Sequence, residues 1–165
     1  MKKHVKLLLS SVLMTVALVS CDLLSELNSS SKMTFKVTNS TQTNLNDTVL
    51  FTAYEIKSFC DSTGEIIFTD SLVPKKLKSY RLIKCYLGND SLFTAKITSN
   101  IMSYLINDLV LNRNPNDGEY CFKDGYPDFI NNTESNTLRA QNKQKRAASW
   151  AKFINKLQME GKYIK

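Results

Sequence analysis

The sequence predicts an α+β domain, mainly antiparallel β, with a sandwich-like sheet of five or more strands, a middle helix and an amphipathic basic helix toward the C-terminal end. Three observations carry that expectation. Between residues 33 and 98, short segments alternate apolar and polar side chains with a period of two, the pattern of strands that bury one face. Turn-forming residues, Asp61-Ser62-Thr63-Gly64 and Gly88-Asn89-Asp90 among them, separate those segments at close intervals. Beyond residue 136 the apolar period lengthens to that of a helix. The 165 residues suit one domain, and a hydrophobic content of 42% with charged residues at 22% excludes a wholly disordered chain.

Two segments precede that domain. Residues 1–20 place Lys2, Lys3 and Lys6 before the apolar stretch Leu7 to Val19 and end on Ser20 ahead of Cys21, the layout of a secretory signal that is removed. Ser10, Ser11 and Thr15 interrupt the apolar stretch, and it falls short of the roughly 20 apolar residues that a membrane span needs. Residues 21–32 continue as a polar, serine-rich tether without hydrophobic periodicity. The single globular domain is expected over 33–165.

Its elements follow in order. Met33, Phe35 and Val37 alternate with Thr34, Lys36 and Thr38, which predicts a half-buried strand. Thr48 to Phe59, rich in β-branched and aromatic residues, leads through the turn at 61–64 into Glu65 to Thr69, a hairpin by pattern. After Pro74, Leu77 to Leu87 sets Ile83 and Cys85 opposite Leu82, Lys84 and Tyr86, and Leu92 to Thr98 forms the next strand. Ile101, Met102, Leu105, Ile106, Leu109 and Val110 recur as adjacent pairs four apart, so Asn100 to Leu111 reads as the middle helix. Residues 112–132 look like loop, punctuated by Pro115, Gly118, Gly125 and Pro127. The last helix is expected at about 137–160. Ala147, Trp150, Ala151, Phe153, Ile154 and Leu157 share one face, Lys145, Lys152 and Lys156 lie opposite, and Gly161 is the stop signal. Lys143 and Arg146 fall on the apolar side of that wheel.

The residues restrict the chemistry more than they name it. His4, inside the expected signal, is the single histidine, so the mature chain lacks the imidazole of Ser-His-Asp and Cys-His catalysis and of nearly all catalytic zinc sites. The five glycines are scattered singly, which excludes a phosphate-cradling loop, and no cofactor or metal is expected. Asp117, Glu119, Asp124 and Asp128 lie close in one loop, but no spacing among them singles out an acid-base pair; no catalytic residue is assigned, and a carboxylate-dependent glycan hydrolase stays only as a lesser alternative.

Charge is uneven along the chain. The formal +7 gathers at the end, with 8 Lys and Arg against 1 Glu in residues 139–165, whereas residues 21–138 hold 11 against 14 acidic residues. A body of slightly acidic sign in an exported protein argues against a nucleic-acid partner. Two readings of the basic helix stay open: it docks its apolar face on its own acidic body, or Lys145, Trp150, Lys152, Phe153, Ile154, Lys156 and Leu157 contact a protein partner or anionic lipid.

Leu18-Val19-Ser20-Cys21 resembles the lipobox of bacterial lipoproteins. The resemblance implies cleavage before Cys21, a diacylglyceryl thioether on its sulfur, and a protein of the bacterial cell envelope that is anchored to a membrane without spanning it, with inner or outer membrane and face undecided. In an oxidising compartment Cys60, Cys85 and Cys121 leave one thiol over if two pair; Cys60 with Cys85 is the favoured pair because both end strands expected to run the same way, and other pairings stay open. The rhythm of FKVTNST, VLFTAYEI and VPKKLKSYRL is similar to that of bacterial extracellular immunoglobulin-like modules, a likeness of shape alone. The expected role is a non-enzymatic binding or envelope-assembly component, with a surface adhesin or ligand binder as the alternative.

Overall fold

A computed structural model describes residues 31–38, 48–99, 103–114 and 118–165. The expected signal, Cys21, nearly all of the tether and positions 100–102 of the expected middle helix lie outside the described residues. Among the described residues nine strands form one sheet in the order β2-β1-β5-β6-β7-β8-β4-β3-β9. They are β1 (Met33–Thr38), β2 (Thr48–Thr52), β3 (Ile56–Cys60), β4 (Glu65–Phe68), β5 (Leu82–Leu87), β6 (Asp90–Ser99), β7 (Val110–Arg113), β8 (Tyr120–Lys123) and β9 (Tyr163–Ile164). Two helices accompany them, α1 (Leu72–Leu77) and α2 (Thr133–Met159). The α+β class and the dominance of antiparallel pairing hold, with β6–β7 and β3–β9 as parallel pairs.

The sheet curls because consecutive strands sit near its opposite ends. β2 is one edge and β3 lies next to the other, yet a single 3-10 turn, Ala53–Glu55, joins them. Thr52 and Glu55 hold that turn as a capping box: the Glu55 carboxylate accepts from the Thr52 amide at 2.7 Å and from its hydroxyl at 2.6 Å. Phe51 of β2 consequently meets Phe68 of β4 edge-to-face at 5.1 Å and stacks on Phe35 of β1 at 4.3 Å. The sheet becomes a half-barrel with an apolar hollow.

Helix α2 fills that hollow. Asn132 caps its start by accepting from the Ser135 amide at 2.9 Å. Gly161 ends it with φ +67°, its amide donating to Gln158 O at 3.0 Å while the Lys162 amide donates to Leu157 O at 2.8 Å, the paired bonds of a Schellman stop. Phe153 and Leu157 are fully buried. Rings from four strands, Phe35, Phe59, Phe93 and Phe122, surround Phe153 at 5.3 to 6.4 Å. The facing layer of the sheet is thus this helix; a second packed sheet, as a sandwich would have, is not present among the described residues.

The expected middle helix is corrected. Residues 103–109 run without helix, Ile106 exchanges main-chain hydrogen bonds with Tyr126 at 2.9 Å, and Val110 onward is β7. Of the apolar residues that suggested a helix, Ile106, Leu109 and Val110 serve two faces of an extended chain and Leu105 is exposed. Leu109 and Leu111 join the main core, while Val110 packs with Ile106 and Tyr126 in a second cluster behind the sheet. Residues 120–123, expected as loop, are β8, and the chain through Pro74 is helix α1, so the strand expected from Leu77 starts at Leu82.

Candidate functional site

A cleft of about 500 Å³ opens between α2 and the β3–β4 turn. The turn stands there because Gly64 adopts φ +73°, and a Cβ at that position would lie 2.1 Å from the Phe122 carbonyl oxygen. Only glycine lets the turn lean on β8, where the Phe122 amide donates to Gly64 O at 2.7 Å. From the opposite wall, Lys143, Arg146, Ala147, Trp150 and Ile154 face the cleft at helical spacing.

The cleft is polar at one end and apolar at the other. Asp124 accepts a short contact from Arg146 and pairs with Lys143 at 2.9 Å, and Arg146 also reaches Asp108 at 3.3 Å. Little of the Arg146 side chain meets solvent, so this cluster is partly desolvated, unlike an exposed surface pair. At the other end Leu109, Phe122, Trp150 and Ile154 form an apolar wall. The Trp150 ring lies 5.3 Å from Phe93 and 5.6 Å from Phe122, which fixes it as a rigid platform.

The three cysteines among the described residues do not pair. All three stand as free thiols. Cys85 points into the core from β5 and is fully buried, whereas Cys60 is on the outer face at the end of β3, with its sulfur 3.2 Å from the Ser62 hydroxyl. The favoured Cys60–Cys85 bond is not formed. Cys60 and Cys121 both sit opposite Glu65, one on each side. Two strand spacings separate them by about 9 to 10 Å, beyond disulfide reach. Hydrogen bonds from Ser62 and Thr63 hold the Cys60 thiol below its ordinary value, while burial pushes Cys85 well above it and Cys121 in the same direction.

The residues expected to touch a membrane or partner divide. Phe153 and Leu157 belong to the core, and Lys156 is buried beside them with Glu160 at 3.2 Å, so these three are closed to outside contact, which corrects that expectation for them. Trp150 and Ile154 are half-buried in the cleft wall. Lys145 is exposed, and Lys152 pairs with Asp90 at 3.5 Å. The described members of the loop carboxylate cluster are dispersed: Asp124 is in the cleft, Asp128 pairs with Lys123 at 3.4 Å, and Glu119 lines a different groove.

Arg139 was not singled out by the sequence, yet it locks the ground beneath the site. Its guanidinium donates to Pro127 O at 2.9 Å, to Asp128 O and Ile106 O at 3.3 Å, and to the Asn107 side chain at 3.3 Å. The signal for Arg146 and Lys143 was visible: cations on the apolar side of a helix need acidic partners, and Asp108 and Asp124 supply them.

Comparison with protein-family models, curated proteins and solved structures finds no match to this chain. Among the described residues, no helix is long and apolar enough to cross a membrane.

Proposed function

We propose that this chain is a bacterial lipoprotein, anchored through Cys21 to a membrane of the cell envelope, whose domain is a non-enzymatic binding or assembly component. The observation that carries the reading is the ordered run of Lys2, Lys3 and Lys6, the apolar stretch to Val19, and Leu18-Val19-Ser20-Cys21. Two acyl chains hold a protein firmly where one is marginal. The cleft supports the binding part of the proposal. Its apolar wall and its Arg146–Lys143 end suit an amphipathic ligand whose polar group competes with Asp124 for those cations. Engagement of Asp124 by two cations, and of Asp61 by the Tyr163 hydroxyl at 3.1 Å, favours binding over carboxylate catalysis.

Labelled palmitate fed to producing cells tests the anchor. Label on the wild-type chain and none on Cys21→Ala is the expected result; equal label on both, or none on either, refutes it. Protease treatment of intact cells then separates the two roles. Removal of the domain without lysis favours the surface adhesin or ligand binder, and protection until lysis favours envelope assembly.

A further inference from the structure

A second groove, of about 420 Å³, lies on a different face between α1, β4 and the start of β8. Ile66, Phe68, Pro74 and Tyr120 make its apolar floor, and Lys75, Lys78 and Arg113 stand along it against one acid, Glu119. The Tyr120 hydroxyl is already committed to Pro74 O at 3.2 Å. The Arg113 Nε is buried and has no hydrogen-bond partner, the one such side-chain atom among the described residues. Lys75, Lys78 and the Arg113 guanidinium against Glu119 leave the groove with an excess of positive charge. Next to the groove two large apolar side chains face solvent: Ile67 is 41% exposed on β4 and Leu72 is 51% exposed at the start of α1. Asp70, close by and itself exposed, accepts from the Leu72 amide at 2.8 Å, so it is the second acid on this face beside Glu119.

We propose that this face is a second membrane contact, which seats on an anionic phospholipid surface with Lys75 and Lys78 at the headgroup phosphates, Arg113 adding its charge from behind them, and Ile67 and Leu72 at the interface. Half-exposed aliphatic side chains with three cations against two acids beside them are the chemistry of an interfacial surface. The inference rests on the proposed lipid anchor, which gives a weak second contact its strength. An extended tether of residues 22–32 spans at most about 35–40 Å, so a tethered domain meets the bilayer at high effective concentration. This contact gives the domain one orientation on the bilayer.

The test uses residues 21–165 with Cys21→Ser, so that no acyl chain contributes, and sedimentation with vesicles of equal parts phosphatidylglycerol and phosphatidylcholine. The parent is expected to sediment with these vesicles and to stay in solution with pure phosphatidylcholine. Lys75→Glu with Lys78→Glu lowers the bound fraction roughly tenfold or more, while the charge-matched Lys145→Glu with Lys152→Glu on α2 changes it little. Matching urea midpoints confirm that the variants fold, and Lys75→Gln with Lys78→Gln replaces the pair if they do not. Three results overturn the proposal: no sedimentation with anionic vesicles, equal loss for both pairs, or binding of free glycerol phosphate to the groove without vesicle binding. None of them touches palmitate labelling at Cys21, so this contact and the anchor fail separately.

Discussion

Replacing Phe153 by alanine removes the ring at the centre of the core. The side chain is fully buried, with Phe59, Phe93 and Trp150 at 5.0 to 5.4 Å and Phe35 and Phe122 just beyond 6 Å. Truncating a buried phenylalanine costs about 3–5 kcal/mol, and a site walled by rigid rings has little room to collapse, which places this position at the upper end. For a domain of this size, that lowers the melting temperature by roughly 10 °C or more. Urea unfolding reports it directly, because Trp150 is the single tryptophan and sits against the removed ring. Far-UV circular dichroism must follow the same transition. A loss under about 1 kcal/mol, or a helix that melts apart from an unchanged sheet, would refute the assignment of α2 as the facing layer of the core. Lys145→Ala, on the exposed side of the same helix, serves as control and stays within about 0.5 kcal/mol of the parent.

Other consequences are open to measurement. Arg139→Lys keeps the charge but not the fork that serves Pro127, Asp128 and Ile106, so it is expected to cost about 2–4 kcal/mol by urea titration; parental stability would contradict the locking role of Arg139. Burial alone pushes the Glu55 carboxyl up, but the hydrogen bonds from Thr52 leave it below its ordinary 4.5. Its contribution is therefore present above that value and lost as pH falls through the lower folded one, so the stability gap to Glu55→Gln shrinks in acid; a gap constant with pH would sink this. Alkylation of the folded Cys21→Ser chain should modify Cys60 first, Cys121 more slowly and Cys85 only after unfolding, as peptide mapping would show.

Much of the fold was legible where one local rule acted alone. Met33, Phe35 and Val37 alternate because β1 has one buried face, and the observed strand has the expected bounds. Gly64 and Gly161 were readable as a turn and a stop, since each needs a left-handed backbone. Legibility failed where tertiary contacts set the outcome. Leu109-Val110-Leu111 is covered on both faces, and neither cover is near in sequence, so periodicity suggested a helix where β7 runs. The capping box at Thr52 and Glu55 lies inside a β-branched run and divides one expected strand into two, which sends β2 and β3 toward opposite ends of the sheet. The cleft was half legible. Its helix wall and the glycine turn could be read, but the pairing of Arg146 with Asp108 and Asp124 depends on loops that Arg139 fixes from a distance.

The central claim, a domain held to a membrane by its own Cys21, is tested most directly by the intact mass of the protein extracted from its native membrane. The account predicts a chain that begins at Cys21 and carries a diacylglyceryl group, with or without an acylated amino terminus. A mass equal to an unmodified polypeptide, or a chain that begins at any other residue, would contradict it.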